Sequence, residues 1–245
     1  MNIEENLLIV VPARGGSKRI PNKNIKKLCG QPMIYWPLQE LSKQFSSKKI
    51  IVSTDDKNII SIVERIGLKV PFVRPKNLSD DFTGTMPVAS HALKWYEDNI
   101  KKIDFVLIVY PTAVMLNIND VIKAIELLKS DATCELVMSA TEFPFPIQRG
   151  VYIKKNGFAK MFYPKYYKTR SQDLISSYHD AGQFYVWKSD SLRKNKTLVN
   201  SNTKLFQIDR NYVIDIDTPT DMNIAETKLK LFQFDKFNKN FKFKW

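Results

Sequence analysis

Cysteine is nearly missing from this chain. Cys29 and Cys134 are far apart, with no CxxC and no histidine partner nearby. That argues against a disulfide framework and a zinc site, and reduced thiols in a cytoplasmic protein are the expectation. Histidine is as scarce, with His91 and His179 the two present, so a histidine-built metal cluster is not expected. No apolar run approaches the roughly 20 residues that cross a bilayer. The first apolar run follows Glu4 and Glu5 and leads straight into a charged turn, so it reads as a core strand and not as a signal peptide. Two common nucleotide-binding signatures, GxGxxG and GxxxxGK[ST], are absent. So are the marks of a recognition helix, a zinc finger or an RRM.

Acidic residues are also in short supply, 25 Asp and Glu against 38 Lys and Arg, for a net charge of +13. Either a polyanionic partner such as nucleic acid or an anionic small substrate on a lysine-rich protein accounts for this. The lysines are dispersed, which favours the second. The segment 234–245, FDKFNKNFKFKW, keeps the first open. What is present in quantity is core material. With 44% hydrophobic and 12% aromatic residues in 245, the chain can build one substantial core, with at most a smaller appended lobe.

The chain is organised around residues 7–24, LLIVVPARGGSKRIPNKN. The run 7–11 is short, continuous and rich in β-branched residues, as suits a buried parallel strand. Pro12 ends it and Gly15-Gly16 frees the backbone, so that consecutive N–H groups can approach a ligand. Arg14, Lys18, Arg19 and Lys23 follow. A Gly-Gly pair after a strand is often only a turn, and basic clusters are often only solvated surface. A strand feeding a glycine turn loaded with cations is nevertheless what a triphosphate needs.

Taken in order, the turn at Cys29-Gly30-Gln31-Pro32 precedes a helix carrying Met33, Ile34, Trp36, Leu38 and Leu41, with Pro37 in its first turn. Strands are expected over 49–53 and 69–73, separated by a helix with Ile59, Ile60, Val63 and Ile66 on its apolar face and Gly67 at its end. Asp55 or Asp56 caps that helix. Residues 74–84 read as loop, 87–97 as helix, 104–110 as strand, 120–128 as helix and 134–140 as strand. An inserted β-ribbon lobe with long loops is expected over about 143–180. Strands at 183–187, 205–208 and 213–214 and a helix over 221–231 complete the pattern, giving one domain over 1–233 and a tail over 234–245. The β-α-β order predicts an α/β protein whose ligand lies outside the carboxyl ends of the strands, where the glycine turn, Thr54-Asp55-Asp56 and Arg74-Pro75 all fall.

Three further stretches could carry chemistry. Asp215 and Asp217 alternate on an extended segment and so face the same way. They either share a divalent cation, as Mg²⁺ is often held by one or two carboxylates plus phosphate oxygens, or are two solvated aspartates before a helix. The stretch 77–85, rich in Ser, Thr, Asn and Asp, is of a kind that is usually just loop. Thr85, with Arg74 just before the stretch, could still give the donors and acceptors that read a base edge. Arg170, Gln172, His179, Gln183, Phe184 and Tyr185 form the third set. An arginine offers a fork for a carboxylate, and the aromatic pair could pack on a sugar face. His179 reads as a group that orients substrate, and His91 as structural.

In series these stretches resemble the nonulosonic-acid cytidylyltransferases, the family that includes CMP-sialic acid synthetase. PARGGSKRIPNKNI, LCGQPMI, VSTDD, RPKNLSDDFTGT, HALKW, YPTA, TRSQDL, DAGQFY and IDIDTPTD follow that family's order over nearly the whole chain. TEFPFPIQR at 141–149 and YHDAGQFYVW at 178–187 bring it nearest to the branch that activates pseudaminic acid. The resemblance implies a three-layer, Rossmann-like nucleotide-diphospho-sugar transferase fold with a mostly parallel sheet, a homodimer joined through the ribbon lobe, and Mg²⁺. It implies transfer of CMP from CTP to a nine-carbon sugar acid, serving surface-glycan or flagellin glycosylation, with sialic or legionaminic acid as the alternative substrates. It places CTP on Ala13, Arg14, Gly15, Gly16, Ser17, Lys18, Lys23, Asn24, Arg74 and Thr85. Arg14, Lys23, Asp215 and Asp217 are the implied catalytic set, with the metal on the two aspartates. The sugar acid falls near Tyr110, Arg170, Gln172, His179, Gln183, Phe184 and Tyr185. Tyr110 and Ala181 depart from the sialic acid pattern, which carries glutamine and asparagine there, and so argue against N-acetylneuraminic acid. Pro87 also departs, standing where related sequences often have aspartate.

Overall fold

Five consecutive buried residues make β1 (Leu7–Pro12) a central strand, because a strand buried on both faces cannot alternate with polar residues. The computed structural model describes residues 5–194 and 197–240. After β1 come the two-residue strands β2 (Lys27–Leu28) and β3 (Gln31–Pro32), then α1 (Tyr35–Ser42), β4 (Ile50–Ser53), α2 (Lys57–Arg65), α3 (Thr85–Asn99), β5 (Phe105–Val109), α4 (Ile118–Lys129) and β6 (Leu136–Glu142). The remainder is β7 (Val151–Ile153), β8 (Ala159–Met161), β9 (Tyr178–Lys188), α5 (Ser189–Lys194), β10 (Thr203–Gln207) and α6 (Pro219–Asn240).

One six-stranded sheet runs β10-β6-β9-β5-β1-β4. β1 lies parallel to β4 and β5, and β10 parallel to β6. β9 is the antiparallel member, inserted between β5 and β6. Strand alternation divides the core in two. Leu7, Ile9, Val11, Leu107, Val109 and Val186 pack under α1, α2 and α4. Leu8, Val10, Val106, Ile108 and Trp187 pack under α3 and α5. This is the expected α/β sandwich with a mostly parallel sheet. α6 lies apart, covering β2 and β3 through Met222, Ala225 and Leu229 against Leu28 and Met33. The two-residue β2–β3 turn takes Cys29 and Gly30 to φ 48° and 80°, the left-handed pair of a tight hairpin.

Two expected strands do not form. Residues 69–73 make a single parallel bridge, Val73 to Thr54, beyond the edge of β4. Pro71 has no N–H for a ladder. Residues 213–214 are irregular as well. They follow a 3-10 turn at Arg210–Tyr212, and Lys228 takes the Val213 carbonyl at 2.9 Å. The ribbon within 143–180 is the hairpin β7–β8, but residues 178–180 already belong to β9. The terminal helix is longer than expected, running through residues 219–240, so the first part of the expected tail continues α6. The rest, 241–245, lies outside the described residues. Among the described residues no helix is long and apolar enough to cross a membrane.

The structure separates Asp55 from Asp56. Asp56 caps α2, accepting from Asn58 N at 2.7 Å and Ile59 N at 3.1 Å. Asp55 instead accepts from Gly15 N at 3.1 Å. Asp56→Ala should lower the unfolding free energy by about 1 kcal/mol, read by urea titration. Asp55→Ala should cost less, because it removes no helix cap.

Candidate active site

The glycine turn leaves β1 where the carboxyl ends of β4 and β5 converge, and its floor is backbone. Ala13 N donates to the Ser53 carbonyl at 2.9 Å, and Ser17 N to the Gly15 carbonyl at 2.9 Å. A Cβ on Gly15 would stand 2.5 Å from Asp56 Oδ2, so the turn passes the α2 cap too closely for a side chain. At Gly16 nothing lies within 4 Å of the same position. The two glycines thus differ: one is required by packing, and the other leaves open space.

Beside the turn is a cleft of about 620 Å³, lined by Arg14, Ser17, Lys18, Arg19, Lys23 and Asn24 from the turn side. Arg74, Thr85, Tyr110 and Asp215 close the other walls. The cations are held by acids from distant segments. Arg14 Nη1 lies 2.7 Å from Asp81 Oδ1 and donates to the Asp80 carbonyl at 2.7 Å, while Lys18 pairs with the other Asp81 oxygen. Those two cations hold the Asp81 carboxyl below the usual carboxylate range. Arg19 and Lys23 share Asp217, at 2.8 and 3.1 Å. Lys23 also takes the Ile216 carbonyl at 2.8 Å. Asn24, buried, donates its side-chain amide to the Arg14 carbonyl at 2.9 Å. Arg74 is buried under the next loop, where it takes the carbonyls of Ser53 and Leu78 and, among the described residues, has no partner for Nε. Desolvation lowers its pKa, partly opposed by the Asp55 charge.

Asp215 and Asp217 flank Ile216, which is fully buried, so the carboxylates face away from the core on the same side. They are not equivalent. Asp217 is taken up by Arg19 and Lys23. Among the described residues no hydrogen bond or ion pair holds Asp215, which lines the cleft. Desolvation, and then repulsion from Asp217, raises its pKa. A carboxylate in that state fits a divalent cation. No group of three or more His, Cys, Asp or Glu side chains among the described residues could hold a metal, so the remaining ligands would be phosphate or water oxygens, as Mg²⁺ prefers.

The residues expected around a sugar acid are less unified. Tyr110 lines the cleft, its hydroxyl 2.9 Å from Thr85 Oγ1. Phe184 and Tyr185, expected to pack on a sugar face, are fully buried on opposite faces of the sheet. Consecutive residues of a strand buried on both faces both enter core, and this overrides the sequence reading. The Tyr185 hydroxyl stands one step behind the cleft, 3.4 Å from the Tyr110 hydroxyl and bonded to Asp180. Gln183 is buried and donates to the Tyr212 carbonyl at 2.8 Å. Arg170 and Gln172 are exposed on the ribbon lobe and do not line the cleft; Arg170 forks onto Asp173 at 2.7 and 3.2 Å. His179 packs its ring on Phe143 at 4.8 Å, with Nδ1 2.8 Å from the Asp180 carbonyl. His91 packs edge-on against Phe72, as a structural residue does. Sequence reasoning missed Asp81 and Asp180. The Asp80-Asp81 doublet was visible, but nothing local says that it folds back onto the glycine turn.

Comparison with known proteins gives these residues a setting. The cytidylyltransferase family profile matches residues 8–239. A pseudaminic acid cytidylyltransferase of Campylobacter jejuni is 38% identical over 91% of this chain and 96% of its own length. A CMP-N,N'-diacetyllegionaminic acid synthase of the same species is 30% identical over 92% of this chain and 95% of its own length. The fold is that of a solved CMP:2-keto-3-deoxy-manno-octonic acid synthetase complexed with CTP, with TM-score 0.69 at 17% identity, covering 93% of this chain and 99% of that one.

The glycine pair yields a direct test. Gly15→Ala should cost about 1–3 kcal/mol, because the new methyl displaces the Asp56 side chain from its cap. Gly16→Ala should leave the melting temperature close to that of the parent. Thermal unfolding of both variants reads the difference.

Proposed function

The chain belongs to the cytidylyltransferase family, and from that premise we propose that it transfers CMP from CTP to the 2-hydroxyl of pseudaminic acid, releasing pyrophosphate, as a cytoplasmic homodimer that uses Mg²⁺. The observation that carries the reaction is the gathering of Arg14, Lys18, Arg19, Lys23 and Asp215 about one cleft. The similarity to pseudaminic acid enzymes supports the choice of sugar.

In this reading the triphosphate lies along the turn on Arg14, Lys18 and Lys23, since the N–H groups of Ala13, Gly15 and Ser17 already donate to Ser53, Asp55 and Gly15. The sugar oxygen attacks the α-phosphorus in line as the bond to the bridging oxygen breaks and pyrophosphate leaves. Catalysis is mostly positioning and charge stabilisation. Arg14 and Lys23 offset charge on the phosphorus oxygens and on the leaving group. Asn24 has its amide nitrogen tied to Arg14, which leaves its oxygen to accept from a base amine, and Arg74 and Thr85 lie on the same cleft. Asp215, with Asp217 behind it, holds the divalent cation, which when bound neutralises phosphate charge. Tyr110 remains on the sugar side, whereas His179 packs on Phe143 and does not line the cleft. The lobe that carries Arg170 and Gln172 exposes Phe145, Val151, Ile153, Phe158, Phe162 and Ile175. An apolar surface of that kind suits a second copy of the chain. Arg170 and Gln172 reach a sugar acid only if the lobe meets a partner's cleft.

Pyrophosphate release from CTP and Mg²⁺ should occur with pseudaminic acid and fall at least tenfold with N-acetylneuraminic or legionaminic acid. Preference for either of the latter would overturn the sugar assignment and keep the reaction. Asp215→Asn should abolish turnover yet raise the melting temperature at neutral pH. The folded state raises the Asp215 pKa, so its ionised form opposes folding above that value. The gain should shrink as the pH falls and vanish below the unfolded carboxyl pKa, where the aspartate is neutral in both states.

A further inference from the structure

The tip of the loop between α2 and α3 is tied to itself and to very little else. Asp80 Oδ1 accepts from Phe82 N at 2.9 Å and Thr83 N at 2.6 Å, and Thr83 Oγ1 donates to the Asn77 carbonyl at 3.3 Å. Phe82 is 95% exposed at the mouth of the cleft. Among the described residues, the polar contacts of 80–83 that leave this loop run to Arg14 and Lys18 alone. Those are two of the cations that the reading above assigns to the triphosphate. One carboxylate of this same chain therefore stands where phosphate oxygens would stand.

We propose that Asp81 is a specificity-determining residue that competes, as a tethered anion, for Arg14 and Lys18, so that a ligand gains those cations only by displacing it. The inference rests on the cleft being a polyphosphate site and deepens that reading. Asp81 acts through the two cations and takes no part in the chemistry, which makes it a positioning residue. It carries one negative charge, and a triphosphate carries several and reaches Lys23 as well, so the triphosphate wins the exchange. A neutral nucleoside has nothing to offer Arg14 or Lys18 and leaves the tether in place. The tether is light, because its side chains are partly exposed: Arg14 is 34%, Lys18 82% and Asp81 32% open to solvent. Exposed pairs of this kind leave the untethered form populated at roughly one part in three to one in ten, and the apparent dissociation constant is raised by the same factor.

Titration calorimetry with CTP, inorganic tripolyphosphate and cytidine on the full chain tests this. Asp81→Asn should lower the dissociation constants of CTP and tripolyphosphate by about 3- to 10-fold and leave that of cytidine unchanged. Asp80→Asn removes the same charge one residue away without freeing either cation, and should change tripolyphosphate binding less than twofold. Unchanged or weaker tripolyphosphate binding by Asp81→Asn would overturn the inference. So would an equal gain for Asp80→Asn, which would reduce the effect to net charge, or an equal gain for cytidine. Tripolyphosphate separates this inference from the functional one. If the wild-type chain fails to bind CTP while the tripolyphosphate gain persists, the cytidylyltransferase substrate reading falls and the tether stands.

Discussion

The structure depends on one electrostatic constraint: four cations of a short turn must be kept beside each other at the open end of a sheet. Arg14, Lys18, Arg19 and Lys23 repel one another, and no acid lies between them in sequence. The fold answers by bringing carboxylates from far along the chain. Asp81 meets Arg14 and Lys18, and Asp217 meets Arg19 and Lys23. Asp55 takes the Gly15 N–H. The carboxyl ends of the parallel strands bring these loops together, and that convergence gathers about one cleft charges that would otherwise be scattered over the surface.

The counter-ions also set what the site can do. Asp217 is shared by two cations, whereas among the described residues no hydrogen bond or ion pair holds Asp215. The two look alike in sequence, and the difference is made by which cations the turn brings to each. Burying Asp215, and doing so beside a like charge, costs stability, as is common where function needs a poised group.

The antiparallel strand β9 joins the two halves of the sheet and also shapes the far wall of the cleft. Its register places Tyr185 opposite Ile108 and Phe184 opposite Val109, so both side chains are spent on the core. What reaches the cleft from this region is Tyr110, at the end of β5, backed by Tyr185 and Asp180. A cleft wall supported by part-buried hydroxyl contacts is more sharply positioned than one carried by a loop alone.

The amino-acid sequence alone determined the α/β class, most strands and helices, the turn at 12–18 and the acidic pair at 215 and 217, because these are written in local periodicity and in short motifs. It also placed the cleft at the strand ends, by topology. It overreached at 69–73, where Pro71 has no N–H for a ladder and a single bridge forms, and at 213–214, which follow a 3-10 turn and give the Val213 carbonyl to Lys228. Only the tertiary structure decided that Asp56 caps and Asp55 holds the turn, that Phe184 and Tyr185 are core, and that Asp81 closes on Arg14 and Lys18. Each of these depends on which segments meet in space. Burial on two faces of a sheet and pairing of charges far apart in sequence leave no local pattern to read.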